Sequence, residues 1–229
     1  DLTAEESKLV ERAASEIRQL EDLFRPYLSP QVTARLRSDP SAGALGGETR
    51  NVSVLFADLE GFTAFSEQVD PAELIEMLNE FWAEAVPAVA AEGGMVERFA
   101  GDAVMVVFNA ADDHPDHAFR AARAALGLQR ATAKLTAGRP DWPRFRVGVN
   151  SGPAMVGNVG SSEHRSFTAI GDTTNLAARL QSVARSGEVV IGKSTRDALG
   201  DHAVTEALDP LSLKGKSRPI EAFRLLEAR

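Results

Sequence analysis

The chain has 229 residues, of which 44% are hydrophobic and 25% charged, with no cysteine and a formal net charge of −8. This composition is typical of a globular protein with one large domain, or with one domain and an appendage. The lack of cysteine excludes disulfides and thiolate metal sites, and the negative charge argues against a nucleic-acid partner, which needs a basic face. No apolar run is long enough to span a bilayer.

The first 28 residues are predicted to be helical, with Pro26 bending or ending a helix over residues 2–25. Apolar residues recur there at alternating steps of three and four, the spacing of a coiled-coil seam, at Val10, Ala13, Ile17, Leu20, Phe24 and Tyr27. The pattern covers fewer than four heptads. It therefore fits a dimerising helix and an amphipathic helix packed on its own domain about equally well.

The stretch that follows the first helix contains several breaks. Ser29-Pro30 precedes a short helix expected over residues 31–37, and residues 39–48 are rich in Gly, Pro and Ser, which is typical of a linker. We therefore divide the chain into a coiled-coil-like helix over 1–28, a transducer segment with a linker over 29–50, and the main domain over 51–229.

The main domain is predicted to open with a buried strand over residues 52–57, which are apolar with one exception. Asp58 follows at the carboxyl end of this strand, and residues 59–61 turn the chain into a short helix that begins at Phe62. A carboxylate at this place suits a hard cation, and backbone N–H groups at a helix start attract phosphate. An aspartate at this place fits an Asx-turn equally well, so the residues alone leave both interpretations open.

A helix is predicted over 71–91, where Asp70 and Pro71 form a cap and first-turn pair. Two short strands follow between residues 95 and 109, joined by a tight turn at Gly101 and Asp102. This hairpin tip could place Asp102 beside Asp58 on one Mg²⁺ site, because Mg²⁺ needs few protein carboxylates. A tip that merely favours Gly-Asp is the alternative.

The second half of the chain is predicted to begin with a helix over 116–137, and its two nearby histidines, His114 and His117, fit a solvated helix-start turn better than a metal site. Strands are predicted over 145–151, 154–159, 167–170 and 188–191, with a turn at Gly152-Pro153, and a last strand is expected to end at Leu226. A short helix is expected over 193–199.

One further helix is predicted to begin at Asp172 or Thr173, either of which could cap it. Asn175 and Arg179 lie four residues apart on this helix, so their side chains leave the same face. A carboxamide and a guanidinium together suit ribose and polyphosphate oxygens, although a capping Asn and a solvated Arg also fit. Lys214, in a basic turn, could reach a phosphate or be solvated.

Four motifs in this order and spacing resemble the catalytic domain of class III adenylate cyclases of the bacterial type. They are FADLEGFT at 56–63, ERFAGDAVMVVF at 97–108, AIGDTTNLAARL at 169–180 and LKGK at 213–216. The resemblance covers residues 51–223, most of the chain, and four ordered motifs are highly specific. It implies an α/β (α+β) fold with a ferredoxin-like βαββαβ core, a mostly antiparallel central sheet and helices on its outer face, preceded by an N-terminal signalling helix.

The resemblance also implies a role for each matching residue. Asp58, Asp102 and the backbone carbonyl of Leu59 would hold two Mg²⁺ or Mn²⁺ ions per active site. Asn175 would orient the ribose, and Arg179 would neutralise charge that develops on the α-phosphate. The phosphate-binding residues would be Glu60, Gly61, Phe62, Thr63 and Lys214, and the purine-reading residues would be Arg98 and Thr168. The implied reaction converts ATP into 3′,5′-cyclic AMP and pyrophosphate.

The family forms its sites across a head-to-tail homodimer, in which one chain supplies the aspartates and the other the remaining groups. The same assembly is expected here, with ATP as substrate and no nucleic-acid partner. Because the chain begins at Asp1 rather than at Met, we expect a cytoplasmic domain of a longer protein with an upstream sensor or membrane domain.

One position departs from the family, whose purine-reading lysine is replaced by Arg98, while the partner position holds Thr168, a form seen among bacterial members. Arginine can donate to adenine N1, but its fork could also serve guanine O6 and N7. The alternatives to an adenylate cyclase are a guanylate or relaxed-specificity cyclase and a catalytically silent nucleotide-binding module. A ferredoxin-like RNA-binding domain is a further alternative, against which the acidic balance counts.

Overall fold

The structure is a computed structural model that describes residues 3–212 and 219–229. The chain divides into two compact units, Asp1–Gly43 and Ala44–Arg229. In the first unit, helix α1 (Ala4–Phe24) is followed by a 3-10 turn (Arg25–Tyr27), helix α2 (Pro30–Ser38) and a second 3-10 turn (Pro40–Gly43). Thr3 and Glu6 cap the start of α1 reciprocally. Within the described ranges, no helix has the length and apolar character that crossing a membrane requires.

The second unit combines eight strands with five helices in the described residues. Its strands are β1 (Gly46–Leu59), β2 (Met95–Ala100), β3 (Ala103–Phe108), β4 (Phe145–Gly160), β5 (Arg165–Ile170), β6 (Val189–Gly192), β7 (Ala203–Ala207) and β8 (Ala222–Ala228). Its helices are α3 (Phe62–Ser66), α4 (Pro71–Ala90), α5 (His117–Thr136), α6 (Asp172–Val183) and α7 (Lys193–Leu199).

The strands form one sheet in the order β2-β3-β1-β4-β6-β8-β7, with β5 paired to β4. Among the described strands, only β4 and β6 pair in parallel. The succession β1-α4-β2-β3-α5-β4 with the order β2-β3-β1-β4 is the ferredoxin-like βαββαβ core. The predicted fold class is therefore confirmed.

Helices α4 and α5 cover one face of the sheet. On that face β1 contributes Leu55 and Leu59, which pack in a single buried cluster with Phe81 of α4 and Leu128 of α5. Asp70 caps α4 by accepting a hydrogen bond from the Ala72 N–H at 2.8 Å, and the buried side chains of α4 follow at steps of four. This burial makes the strands a rigid base for the residues at their ends.

Helix α6 packs on the opposite face, directly against β4. A Cβ atom at Gly148 would lie 2.1 Å from the Gln181 nitrogen and 2.4 Å from the Ala177 oxygen, so only glycine lets this helix approach so closely. The Thr173 hydroxyl donates to the Pro153 carbonyl at 2.7 Å and fixes the start of the helix. These contacts set the direction in which the exposed side of α6 projects.

Three local predictions differ from the structure. β1 begins at Gly46 rather than near residue 52, because Gly47 and Gly157 let the β1 and β4 backbones pair closely. β4 runs without a turn through Gly152-Pro153, because among the described strands these residues pair with β1 on one side and have no ladder partner on the other. Gly171, without a side-chain bond, precedes α6, so neither predicted cap serves.

Candidate active site

Two carboxylates meet where β1 ends. Asp58 pairs across the ladder with Ala103, and Asp102 directly precedes Ala103 at the tip of the β2–β3 hairpin. Gly101 makes this tip possible because its φ of +65° lies in the left-handed region that favours glycine. The structure therefore brings the two predicted aspartates, together with Leu59, to one end of the sheet.

The pKa of the Asp102 carboxyl is raised above its usual value. Burial is the largest cause, and the negative charge of Asp58 adds to it, whereas backbone N–H groups of Asp102 and Leu59 and the positive charge of Arg146 lower it. Two carboxylates that repel each other in a partly desolvated place favour a bound cation. Their hard oxygen donors fit Mg²⁺ or Mn²⁺, which need only one or two protein carboxylates when phosphates complete the shell.

Arg146 is the site residue that the sequence analysis missed. It lies opposite Asp58 in the β1–β4 ladder, and its Nε donates to Asp58 Oδ1 at 3.0 Å. Both side chains are 26% exposed. An arginine at an alternating strand position resembles any solvated residue in sequence, and only the strand register would have paired it with Asp58. This guanidinium is a resident counter-charge beside the carboxylates.

In the turn after β1, the polar groups of one residue already make hydrogen bonds within the chain. The Glu60 N–H donates to the Arg144 carbonyl at 3.0 Å, and Glu60 Oε2 accepts from the Ser186 N–H at 2.7 Å. Of the predicted phosphate-binding residues in this turn, Gly61, Phe62 and Thr63 still open a helix whose first N–H groups have no intrahelical acceptor. Beside Glu60 and Gly61 a cavity of about 460 Å³ opens to solvent.

The polar pair on α6, Asn175 and Arg179, differs from the groups at the end of β1 in its bonding. Asn175 is exposed and Arg179 is half-buried, one helical turn apart, while the Leu180 and Ala177 side chains of the same helix are buried. Within residues 3–212 and 219–229, neither the Asn175 nor the Arg179 side chain makes a hydrogen bond or an ion pair. The two groups therefore project together from the sheet-bound helix with their full bonding capacity.

The remaining predicted residues are dispersed. Arg98 lies on the edge strand β2, with its side chain 58% exposed, and Thr168 lies buried on β5, which among the described strands pairs only with β4. Lys214 lies outside the described residues. His117 bonds through Nδ1 to the Ser53 hydroxyl at 2.8 Å, and in the described chain no cluster of three or more His, Asp or Glu residues could hold a metal.

Comparison with known proteins adds independent findings. A sequence model of the adenylate and guanylate cyclase catalytic domain matches residues 46–227. Adenylate cyclase 1 of Rhizobium meliloti (strain 1021) is 35% identical over 207 residues, covering 83% of this chain and 30% of that protein. The chain thus spans less than a third of this curated relative.

Two solved structures are similar to this chain at 28% identity and a TM-score of 0.74. One is the guanylyl cyclase Cya2, with 81% of this chain and 96% of that chain covered. The other is the adenylyl cyclase CyaB from P. aeruginosa, with 81% and 98% covered. The similarity therefore extends to proteins named for either purine nucleotide.

Proposed function

This chain belongs to the family of adenylate and guanylate cyclase catalytic domains, and we propose that it is an adenylate cyclase that converts ATP into 3′,5′-cyclic AMP and pyrophosphate. The observation that supports this proposal is the juxtaposition of Asp58 and Asp102 at the end of β1. Phosphoryl chemistry of this type needs positioning and charge stabilisation, which fixed carboxylates and guanidinium groups provide.

Asp58, Asp102 and the Leu59 carbonyl would hold two Mg²⁺ or Mn²⁺ ions. These ions would supply charge neutralisation at the triphosphate and a lowered pKa at the ribose 3′-hydroxyl. Arg146, which neutralises Asp58 in the structure, would be freed when cations take over that role, and its guanidinium suits a phosphate oxygen. The N–H groups of residues 61–63 and Lys214 would bind the terminal phosphates.

The other half of the chemistry would fall to α6. Asn175 would hold the ribose so that its 3′-oxygen faces the α-phosphorus, and Arg179 would stabilise negative charge that develops on the α-phosphate. Their lack of partners in the described chain supports a role toward a ligand. It also argues against a catalytically silent module, which has no need of this pair.

A head-to-tail homodimer would complete two sites, with the aspartates of one chain facing α6 of the other. Apolar side chains exposed on the β4–β5 pair, Met155, Val159 and Ile170, are each about half exposed and support a surface that a second copy covers. A monomer would hold the carboxylates without the opposing guanidinium.

ATP is the proposed substrate because Arg98 can donate to adenine N1, and the Rhizobium relative is named an adenylate cyclase. GTP, or both nucleotides, is the second candidate, which the guanylyl cyclase structure of equal similarity favours. A guanidinium fork can also serve guanine O6 and N7.

The N-terminal helix α1 would act as a dimerising and signalling element that receives an input from an upstream domain. Along its seam Ile17, Leu20 and Phe24 are each more than half exposed, which is typical of a helix that packs against a partner. Removing residues 1–28 is expected to change the basal rate, and an unchanged rate and dimer strength would contradict this role.

The decisive experiment incubates the protein with ATP or GTP and Mn²⁺ over a range of protein concentrations and identifies the products. We expect cyclic AMP and pyrophosphate, with specific activity that rises with concentration as dimers form. Cyclic GMP as the main product would favour the second candidate, and no cyclic product from either nucleotide would overturn the proposal.

A further inference from the structure

A side-chain hydrogen bond joins the turn after β1 to the loop that follows α6. Glu60 comes directly after β1, and its Oε2 accepts from the Ser186 N–H at 2.7 Å. Ser186 lies three residues beyond Val183, the last residue of α6. Glu60 and Ser186 are 126 positions apart in the sequence, so this one bond connects two separate parts of the fold.

The carboxylate of Glu60 is itself unsuited to binding phosphate. A carboxylate and a phosphate repel each other, so an acidic side chain in a phosphate-binding turn calls for another role. In the structure the carboxylate is held by the Ser186 N–H, and the Glu60 N–H donates to the Arg144 carbonyl at 3.0 Å. The side chain and the backbone of this residue therefore both fix the turn to neighbouring segments.

The last turn of α6 has a second link to the same region. Arg146 Nη1 donates to the Ser182 carbonyl at 3.5 Å, while its Nε donates to Asp58. This guanidinium and the Glu60 carboxylate thus join the aspartate end of the sheet to the C-terminal end of α6. Arg179 lies three residues before Ser182, about one helical turn, so a displacement of this helix end would displace its guanidinium.

In the proposed dimer, the two regions that these bonds join belong to different active sites. The turn after β1 serves the site that uses the aspartates of its own chain. Helix α6 serves the other site, which uses the aspartates of the second copy. A hydrogen bond between the turn and the end of α6 within one chain therefore runs from one active site to the other.

We propose that Glu60 is a positioning residue, whose carboxylate holds the end of α6 so that Arg179 is correctly placed in the opposite active site. The proposal rests on the proposed function and on its head-to-tail dimer. In this role Glu60 contacts no substrate, and it acts through the Ser186 N–H and the helix. Its effect on catalysis therefore falls on the site to which its own aspartates do not belong.

The test uses mixed dimers with one intact site, purified through two different affinity tags. One chain carries Asp58→Asn and gives only its α6 to the intact site, and the other carries Arg179→Ala and gives only its aspartates. Glu60→Ala is added to the Asp58→Asn chain, which leaves the turn of the intact site unchanged. We expect kcat to fall about threefold to tenfold, the range of one hydrogen bond, with little change in KM, because Arg179 acts on charge that develops in the transition state.

Glu60→Ala in the Arg179→Ala chain should cost less activity. The α6 that it loosens serves the silent site, and the Glu60 N–H still holds the turn of the intact site through the Arg144 carbonyl. A loss that is as large or larger in this second placement would overturn the proposal, because a general destabilisation or a local effect on the turn gives that result. No loss in the first placement would overturn it as well.

Two control variants are placed in the Asp58→Asn chain. Glu60→Gln keeps an oxygen that can accept from the Ser186 N–H, so it should retain most of the activity that Glu60→Ala loses, and an equal loss would contradict a role for this bond. Glu76→Ala removes an exposed carboxylate from α4 and should leave activity unchanged. A mixed dimer that makes no product beside an active wild type would overturn the shared site, and this proposal with it. No cyclic product from the wild type would instead overturn the proposed function itself.

Discussion

The two halves of the candidate site differ in how far the chain satisfies them by itself. At the end of β1, Asp58 is hydrogen-bonded to Arg146, and the backbone N–H groups of Asp102 and Leu59 and the charge of Arg146 partly oppose the rise in the pKa of Asp102, so groups of the fold itself act on both carboxylates. On α6, Asn175 and Arg179 project with no hydrogen bond or ion pair in the described residues. The charged groups of the first region therefore interact within the chain, whereas the side chains of the second remain available for a ligand or a second chain.

This difference bears on how a shared site would work. Carboxylates that repel each other need a counter-charge at all times, and Arg146 provides one before any cation binds. An exposed carboxamide and a partly exposed guanidinium are hydrated in the absence of a ligand, so they need no partner from their own chain. Substitutions at the aspartate end are therefore expected to change the charge balance of the site, and substitutions near α6 to change the placement of its side chains.

The largest expected effect comes from Asp58→Asn, which removes one carboxylate and keeps its shape. Cyclic nucleotide formation should fall by at least about a hundredfold, the scale of losing a fixed electrostatic group. The unfolding midpoint in metal-free buffer should move by only a few degrees, because repulsion of Asp102 is lost along with the bond to Arg146. Product formation that is unchanged would remove Asp58 from the metal assignment.

Gly148→Ala is expected to displace α6 and so to disturb the half of the site that carries Asn175 and Arg179. The added Cβ would meet backbone atoms of Gln181 and Ala177, which cannot rotate away. We expect the free energy of unfolding to fall by about 2–3 kcal/mol and activity to fall with it. Denaturant titration measures the first, and Gly127→Ala, where a Cβ meets only ordinary contacts, is the control. Equal stability of the two variants would show that α6 does not pack as described.

Arg146→Gln removes the positive charge at the aspartate end of the site. Loss of the guanidinium should lower the free energy of unfolding by about 1 kcal/mol without metal, since the pair is only partly buried. Added Mn²⁺ should then raise the unfolding midpoint more in the variant than in the wild type, because the Arg146 guanidinium no longer competes with the metal ion for Asp58. A smaller Mn²⁺ effect in the variant would mean that Arg146 does not occupy a cation's place.

The smallest effect concerns His117, whose chain of hydrogen bonds through Ser53 and Ser151 to Thr195 is separate from both halves. Burial lowers the pKa of His117 below its usual 6.5, against the opposing charge of Asp116. The unfolded chain therefore takes up this proton first as pH falls, and stability is lost below about pH 6.5. His117→Gln should show a smaller drop in unfolding midpoint between pH 7.5 and 5.5, by thermal unfolding at each pH; an identical drop would contradict this.

Sequence patterns identified the fold core and the residues on which the carboxylate pair depends. A buried strand ending in Asp58 and a glycine tip followed by Asp102 are local signals, and the structure places both as expected. Helix α4 was equally predictable, because its cap and its apolar stripe lie within one segment.

Features that depend on distant pairing were not predictable in the same way. Arg146 matters through its register with Asp58, 88 residues away along the chain. A bulge in β2 at Glu97 depends on how β2 meets β3, and residues 152–153 stay in β4 because β1 pairs with them. Strand β7 was missed because Ala203–Ala207 has no marked alternation and, among the described strands, pairs only with β8.

In the proposed dimer each active site draws its carboxylates from one chain and its α6 pair from another. Mixing Asp58→Asn with Arg179→Ala, each inactive alone, tests it directly. In a symmetric dimer, random exchange of subunits should restore about a quarter of wild-type activity, because half of the dimers are mixed and each has one intact site. A mixture that remains as inactive as its parents, although exchange is verified, would contradict the claim.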